Sequence, residues 1–248
     1  MEKEIEILKS LVDDSEDIVF FGGAGVSTES GIRDFRSIDG LYNEINKYPP
    51  EIMLSHSFFI SNTKDFYTFY KEKMINKEIK PNQAHFVLAE LEKAKKLTAI
   101  ITQNIDGLHQ MAGSKNVLEL HGSVYRNYCM DCKKFYGVEI LDIGDIPICK
   151  CGGIIRPDVV LYEESLNYDM LTQAVNYISQ ADVFIVGGTS LLVYPAAGLV
   201  DYYSGNKLVI INNSETPFDE RANLLIRGSI GYILGELKKI NKSEGAFD

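Results

Sequence analysis

One stretch constrains this chain more than any other. The apolar run Ile18-Val19-Phe20 leads directly into a glycine-rich loop at 22–25, with hydroxyl side chains behind it. An apolar run that ends in glycines is typical of a buried parallel strand that turns tightly into the start of a helix. Backbone N–H groups at such a turn, with Ser27, Thr28 or Ser30 as helix caps, can bind an anion. The stretch therefore predicts a nucleotide site.

The loop departs from the fingerprint of hydride-transfer enzymes. Thr28 stands where that fingerprint requires Gly or Ala, and no helix leads to a second strand and an acid about twenty residues further on. Instead, the charged and aromatic tail Asp34-Phe35-Arg36 follows. An enzyme that separates nicotinamide from its ribose could use Arg36 to bind phosphate and Phe35 as an aromatic shield.

Length and composition are those of a globular protein. The 248 residues, 45% hydrophobic and 24% charged, fit one domain with at most a small appended lobe. A net charge of -10 argues against partners such as nucleic acid or an anionic membrane. It suits a basic substrate such as a lysine-rich peptide, or serves solubility alone. No apolar run approaches the ~18 residues of a membrane span and no leader is recognisable, so we expect a cytoplasmic protein.

Polar residues follow the predicted strand 97–102. Gln103, Asn104 and Asp106 stand at its carboxyl end, where open α/β sheets bind ligands. Amide and acid groups can bind a carboxamide and ribose hydroxyls, although Asn104 and Asp106 could instead only cap the next helix. His121 ends the following strand at the same edge, and an ordinary histidine pKa near 6.5 suits a general base.

Four cysteines form two close pairs. Cys129-x-x-Cys132 is followed, after sixteen residues, by Cys149-x-Cys151. Four thiolates at this spacing predict a structural zinc site, and the polar segment between the pairs has too little apolar content to fold without one. Reactive or buried cysteines without metal are the alternative.

Apolar strands alternate with helical segments along most of the chain. This alternation predicts an α/β fold, a doubly wound parallel sheet of Rossmann type with helices on both faces. One helix opens at Asn82, and we assign Phe86, Val87 and Leu91 to its apolar face. The strands are predicted at 18–20, 97–102, 117–120, 183–186 and 208–211. The domains are predicted as a nucleotide-binding domain at 1–36, 81–122 and 155–248, and a smaller one made of a helical insertion at 37–80 and a zinc module at 123–154.

These motifs together resemble the sirtuins, a family of NAD-dependent protein deacylases. The resemblance extends from about residue 18 to residue 218. Two positions depart from the family pattern: Cys149-x-Cys151 is one residue shorter than the usual second CxxC, and Glu163 stands where the family has Gly. The matching segments are Gly23-Ala24-Gly25-Val26-Ser27, Ser30-Gly31-Ile32, Asp34-Phe35-Arg36, the TQNxDxLH run at 102–109, and His121-Gly122-Ser123.

The resemblance implies NAD as cofactor, structural zinc, and an acyl-lysine protein or peptide as substrate, with a monomer as one possible oligomeric state. The acyl group would pass to ADP-ribose as nicotinamide leaves, with His121 as catalytic base beside Asn104 and Asp106. Implied cofactor contacts are Ala24, Thr28, Phe35, Arg36, Gln103, Asn104, Ile105, Asp106, His121, Gly188, Thr189, Ser190, Asn212, Asn213, Ser229 and Ile230. Implied substrate contacts are Tyr67, Tyr70, Val159, Val160, Tyr162, Leu191 and Val193.

The helical insertion bears on the acyl group. Sirtuins that remove succinyl or malonyl groups carry a Tyr and an Arg three residues apart in this insertion, and a gapless alignment to Pro81-Asn82 places Tyr67 and Tyr70 there. Both tyrosines would face the acyl channel, since residues three apart share a helix face. A buried carboxylate without a cation is costly, so we expect acetyl or another neutral acyl group unless Lys71 replaces the arginine.

Other functions remain open at this point. An ADP-ribosyl transferase or NAD-consuming hydrolase would need the same cofactor site, and a deacylase could prefer longer or acidic acyl groups. A silent NAD-sensing module is disfavoured, because such a protein should have lost His121 or the set Gln103 to Asp106, and both are present.

Overall fold

The strands and helices divide between a large and a small sheet. The structure is a computed structural model that describes residues 1–34, 40 and 48–243. In chain order, the strands there are β1 (Ile18–Gly22), β2 (Leu97–Thr102), β3 (Val117–Glu119), β4 (Gly122–Cys129), β5 (Phe135–Tyr136), β6 (Ile155–Val159), β7 (Val183–Gly187), β8 (Leu208–Asn212) and β9 (Leu224–Arg227). The α-helices are α1 (Glu2–Asp13), α2 (Pro50–Met53), α3 (His56–Ser61), α4 (Thr63–Lys73), α5 (Gln83–Lys93), α6 (Leu108–Ala112), α7 (Tyr168–Gln180) and α8 (Ile230–Ser243).

The large sheet is parallel throughout. Its strands lie in the order β3-β2-β1-β7-β8-β9, and each neighbouring pair is parallel. Every residue of β1 and β7 is buried, as expected for strands covered on both faces. The predicted α/β fold with a doubly wound sheet is confirmed.

Side chains of β1 alternate between two apolar clusters. Ile18 and Phe20 lie in one cluster with buried residues of α1, α5 and α8. Val19 and Phe21 lie in the other, with buried residues of α7. Successive side chains of a strand point to opposite faces, so this short apolar run joins both halves of the core. Each such side chain contributes about 1.5–3 kcal/mol by leaving water.

The strand order reverses between β1 and β7. From β1 the chain proceeds to β2 and β3 on one side, and from β7 to β8 and β9 on the other. Where strand order reverses in an open α/β sheet, the carboxyl ends of the two central strands border a crevice. The loops that follow β1, β2, β7 and β8 therefore converge on one place.

A small lobe begins directly after β3. Its antiparallel sheet has the order β5-β4-β6. Helices α2 to α4 cover it, and Phe66, Tyr67 and Tyr70 of α4 share a cluster with Val124 and Val159 of the sheet. β6 pairs with β4 along its length. The segment 155–159, which the sequence assigned to the nucleotide-binding domain, therefore pairs with the small sheet and not with the parallel sheet, and the division into domains stays a prediction.

One local prediction is wrong. Phe86 is 39% exposed, and α5 packs through Ala84, Val87 and Leu88, with Leu91 partly buried. The buried residues recur every three or four positions, which leaves Phe86 on the opposite side. In addition, the elements after 211, β9 and α8, complete the sheet and its covering layer without any prediction from the sequence.

The loop after β1 also differs from expectation. It forms two 3-10 turns, Ala24–Val26 and Thr28–Ser30, and neither has a side-chain cap. The hydroxyl of Ser27 donates to Asp106 (2.6 Å), and that of Thr28 donates to the carbonyl of Gly25 (3.0 Å). The hydroxyls predicted as helix caps instead hold the loop in place.

Within the described part of the chain, no helix is both long and apolar enough to cross a membrane. The cytoplasmic location expected from the sequence stays a prediction.

The crossing from the large to the small sheet yields a stability prediction. Gly122 has φ +81°, and a Cβ there would lie 1.9 Å from the carbonyl oxygen of Asp158. Gly113 has φ +108°, with no heavy atom within 4 Å of its Cβ position. Gly113→Ala should cost only backbone strain, about 1–2 kcal/mol. Gly122→Ala adds a clash with backbone and should cost about 3 kcal/mol or more.

Thermal unfolding of the two variants beside the parent chain measures the difference. A Gly122→Ala midpoint as high as that of Gly113→Ala would contradict the close packing of β4 against β6.

Candidate active site

Two glycine-containing loops touch backbone to backbone at the switch point. The N–H of Gly25 donates to the carbonyl of Gly188 at 2.8 Å. A Cβ on Gly25 would lie 2.8 Å from the Cα of Gly188, and a Cβ on Gly188 would lie 2.4 Å from the backbone nitrogen of Val26. Gly188 also has φ +59°, a conformation that glycine adopts without strain. Only glycine fits at either position, so the loops after β1 and β7 approach as closely as backbones can.

A partly buried carboxylate anchors the loop after β2 to the glycine-rich loop. Asp106 accepts from the hydroxyl of Ser27 at 2.6 Å and from the backbone N–H of Leu108 at 3.0 Å. The side-chain amide of Asn104 donates to the same Ser27 hydroxyl oxygen at 3.0 Å. Burial raises the pKa of Asp106, and these hydrogen bonds oppose the rise. The two loops therefore share one polar network.

His121 is oriented by the backbone of the β2 loop. Its Nδ1 lies 2.9 Å from the carbonyl oxygen of Gln103. A carbonyl can only accept, so Nδ1 carries the proton and Nε2 keeps a lone pair in the neutral ring. Burial lowers the pKa of His121, and the hydrogen bond to Gln103 partly opposes this. The ring is thus a neutral base with a defined proton-accepting nitrogen.

The other buried histidines are structural. His85 accepts from the backbone N–H of Asn82 through Nδ1 (3.2 Å), and its ring lies 4.8 Å from that of His109. Burial lowers the pKa of His85 to about 4 and that of His109 to about 3. Both rings are therefore neutral near pH 7, and neither lines the cavity.

These loops enclose a cavity of about 930 Å³ that extends between the two lobes. Such a volume is at the upper end of the range for cofactor sites. The predicted site residues that line it are Ala24, Thr28, Tyr70, Gln103, Asn104, Ile105, Asp106, His121, Val159, Val160, Tyr162, Gly188, Thr189, Ser190, Val193, Asn212, Asn213 and Ile230. The cavity thus gathers the ends of β1, β2, β6, β7 and β8.

The four cysteines come together in the small lobe. Their sulfur atoms all lie within 4.8 Å of one another, with Cys129 3.4 Å from Cys151 and Cys132 3.6 Å from Cys149. Zinc bonds of about 2.3 Å at tetrahedral angles require sulfur atoms about 3.8 Å apart. The donor set and its geometry therefore fit structural zinc, which the four thiolates could hold without any open coordination position.

The short second pair is accommodated by a tight turn. The N–H of Cys149 donates to the carbonyl of Gly153 (2.8 Å), and that of Gly152 donates to the carbonyl of Cys149 (2.9 Å). Gly152 has φ +95°, which lets the chain reverse directly after Cys151. A pair with one intervening residue thus brings both sulfur atoms to the same point.

Comparison with known proteins identifies the family. The Sir2 family model matches residues 23–195. The chain belongs to the Sir2 family. An NAD-dependent protein deacetylase of Clostridium tetani is 64% identical over 233 residues, 92% of this chain and 94% of that protein. A solved Sir2 structure with a p53 peptide and NAD+ superposes with TM-score 0.84 at 41% identity, covering 96% of this chain and 98% of that one. A Sir2 structure bound to an acetylated peptide has TM-score 0.83 at 40% identity, covering 98% and 99%.

Some residues assigned by resemblance to the sirtuins, as the Sir2 family is also called, lie off the cavity wall. Leu191 is 1% exposed and packs in the core under the sheet, and Ser229 is not among the lining residues. Tyr67 is buried and its hydroxyl donates to the carbonyl of Ile155. Tyr67 and Tyr70 share the small-lobe core, but only Tyr70 also lines the cavity, so the role of Tyr67 as a substrate contact stays a prediction. Phe35 and Arg36 lie outside the described residues.

Two residues that hold the glycine-rich loop were expected from the sequence only to begin or cap helices. Ser27 is fully buried and joins the loops after β1 and β2. Asn82 caps α5 as predicted, and its amide also donates to the carbonyl of Val26 (2.8 Å) and to the hydroxyl of Ser30 (3.0 Å). A local sequence pattern can predict a helix cap, but it cannot predict hydrogen bonds between residues more than fifty positions apart, such as those of Ser27 and Asn82.

Glu163 occupies a left-handed position. Its φ of +75° accounts for the glycine found there in the sirtuin pattern, since glycine adopts such angles readily. Its carboxylate accepts from the backbone N–H (2.9 Å) and the hydroxyl (2.6 Å) of Ser57. These hydrogen bonds lower the pKa of Glu163, so the carboxylate is ionised and held in place.

The cysteine site gives a direct test. Stripping zinc, or the substitution Cys149→Ser, should unfold the zinc module, because the cluster that packs around the cysteines contains few apolar residues. Bound zinc should fall from about one ion per chain to near zero, with a large drop in the thermal midpoint. Elemental analysis and thermal unfolding with and without a chelator measure both.

Ile143→Ser is the matched control, since Ile143 belongs to the same module and is 63% exposed. This variant should keep its metal. A metal-free chain with an unchanged midpoint would show that the cysteines do not form a structural zinc site.

Proposed function

We propose that this Sir2-family chain is an NAD-dependent protein-lysine deacetylase. It transfers the acetyl group of an acetyl-lysine to ADP-ribose, with release of nicotinamide and free lysine. The observation that carries the proposal is the hydrogen bond from His121 Nδ1 to the Gln103 carbonyl, in the wall of a cavity that also contains Asn104 and Asp106. The curated relative from Clostridium tetani bears the same activity in its name.

The cavity fits NAD. When bound, NAD would supply the reactive carbon, which is the ribose carbon bonded to nicotinamide. A Cβ on Gly23 would lie 2.9 Å from the Oε1 atom of Gln103 and 2.8 Å from the Cβ of Thr189, so glycine there keeps the backbone close to polar groups. The neighbouring loop 24–28 would hold phosphate. Asn212 and Asn213, at the end of β8, would hold the adenosine half. We include Phe35 as the aromatic shield of the reactive carbon and Arg36 as a phosphate-binding residue in this proposal.

His121 acts as the general base. Its neutral ring presents Nε2 for a proton from a ribose hydroxyl, since Nδ1 is committed to Gln103. A pKa below the ordinary value near 6.5 keeps the base unprotonated at neutral pH. Positioning by a backbone carbonyl costs no rearrangement when substrate binds.

Asn104 and Asp106 orient the reacting ribose and water. The Asn104 amide nitrogen donates to Ser27, which leaves its carbonyl oxygen as an acceptor for a hydroxyl or water. Asp106 is fixed by Ser27 and Leu108. A buried carboxylate held by such bonds is a strong local acceptor. It stabilises positive charge that develops on the sugar.

The substrate is an acyl-lysine peptide that lies along the 159–162 strip. β6 is an edge strand of the small sheet and ends at the cavity. A peptide added to such an edge is held mainly by main-chain hydrogen bonds, so affinity depends little on its sequence. Val159, Val160 and Tyr162 line the cavity beyond this edge. The solved Sir2 relative with an acetylated peptide supports this assignment.

Replacement of the base tests the mechanism. His121→Ala should lower deacetylation by ~10²-fold or more, while NAD still binds, because the alanine removes only the proton acceptor. Calorimetry with NAD, and separate assays of nicotinamide and free lysine from one acetyl-peptide, distinguish binding from chemistry. Nicotinamide release can persist where it precedes the base-dependent step.

Near-normal release of free lysine by His121→Ala would remove His121 from the mechanism. ADP-ribose attached to the peptide or protein, with the acetyl group left on lysine, would show a transferase instead.

The acyl group gives a second test. Tyr70 is fully buried and lines the cavity, and burial raises the pKa of its hydroxyl far above the usual range, so it stays neutral. Lys71 donates to the carbonyls of Gly144 (2.6 Å) and Asp145 (3.2 Å). It is therefore engaged away from an acyl carboxylate. On one peptide, kcat/KM for acetyl-lysine should exceed that for succinyl-lysine by orders of magnitude, since an unpaired buried carboxylate costs several kcal/mol.

A succinyl value equal to or above the acetyl value would contradict this preference. Lys71→Ala would then identify the cation, because loss of the succinyl activity alone would assign it to Lys71.

A further inference from the structure

A second groove adjoins the main cavity. It is open to solvent, has a volume of about 340 Å³, and shares Tyr162 and Glu163 with the main cavity. Its walls come from α2, α3 and the segment after β6. The lining residues are Glu51, Ile52, Ser55, Ser57, Phe58, Ser61, Tyr162 and Glu163. A peptide on the 159–162 strip would therefore pass its mouth.

The groove combines apolar surface with negative charge. Ile52 is 47% exposed, and Phe58, which also lines the groove, belongs to the small-lobe core. Glu51 and Glu163 supply carboxylates, and the described lining residues include no Lys, Arg or His. Long cationic side chains place their methylene groups on apolar surface and keep the charged end at a polar edge.

The Glu163 carboxylate is fixed and ionised. Ser57 holds its Oε2 atom by two hydrogen bonds, of 2.6 and 2.9 Å. The adjacent Glu164 is paired with Arg156 and lies 2.7 Å from Nδ1 of His56. The Arg156 guanidinium thus balances the charge of Glu164, whereas the hydrogen bonds that hold Glu163 come from a neutral serine. The negative charge at the mouth of the groove is therefore retained.

We propose that this groove binds a lysine or arginine side chain that flanks the acetyl-lysine in the substrate, and that Glu163 selects for it. The proposal rests on the deacetylase function above and names the substrate class: acetylated segments with a second, unmodified basic residue. The aliphatic part of that residue lies on Ile52 and Phe58, and its cation faces Glu163. Glu51 adds to the attraction. Among the residues that the structure describes, the groove lining includes no basic group that would favour an acidic flank.

A peptide series tests the proposal. One neutral acetyl-lysine peptide serves as reference, and a single lysine is moved through the flanking positions. At one position, kcat/KM should exceed the reference by about fivefold at low salt, mainly through KM, and the advantage should shrink at high salt. Glu163→Gln keeps an acceptor for Ser57 and removes the charge. It should reduce the ratio of basic to neutral peptide towards one, and Glu51→Gln should reduce it in part.

Glu220→Gln is the matched control, because Glu220 is exposed and lines neither cavity. It makes the same change in net charge and should keep the full ratio. A parent chain that deacetylates all peptides equally, or a Glu163→Gln/Glu51→Gln double variant with the parent ratio, overturns the groove assignment and leaves the deacetylase function intact. A parent chain that turns over none of the peptides overturns both.

Discussion

The contact between Gly25 and Gly188 is the constraint on which the site depends. Their backbones meet at 2.8 Å, closer than any side chain would allow. This contact joins the carboxyl ends of the two central strands, β1 and β7, at the place where the sheet reverses its order. With these two loops held together, the loop after β2 contacts both of them. Asp106 accepts from Ser27 of the β1 loop, and Gln103 accepts from the Thr189 hydroxyl of the β7 loop.

The polar network above the sheet illustrates how a charge is kept inside a protein. Burial of an isolated carboxylate costs many kcal/mol, which hydrogen bonds must offset. Asp106 obtains them from Ser27 and from the N–H of Leu108, and Asn104 adds to the network through the Ser27 hydroxyl. Ser27 comes from the loop after β1, and Asn104 and Leu108 come from the segment after β2. The fold thus provides the hydrogen bonds that stabilise the Asp106 carboxylate, and these bonds in turn hold the loops after β1 and β2 together.

Much of this arrangement could be predicted from the sequence, because apolar strand runs, paired cysteines and polar loops are local patterns. The class of fold, the cysteine cluster and the polar loop after β2 follow from them, whereas the other residues of the cavity wall were expected only from the resemblance to the sirtuins. What could not be predicted depends on contacts between distant segments. Tyr67 and Tyr70 share a helix face by spacing, but packing against the small sheet directs only Tyr70 to the cavity. Phe86 is apolar enough for the core, but α5 shares its core cluster with α8 through Leu88, and Phe86 remains exposed.

His121 connects the two lobes. It lies two residues after β3, the last strand of the large sheet before the crossing, and the next residue begins the small sheet. Its ring is bonded to Gln103 of the large lobe, while its carbonyl accepts from the N–H of Val160 beyond the small sheet (3.0 Å). The orientation of the imidazole therefore depends on the angle between the lobes, because the ring is bonded to one lobe and the backbone to the other. A change in the angle between the lobes would therefore act on the proposed base through the covalent chain itself.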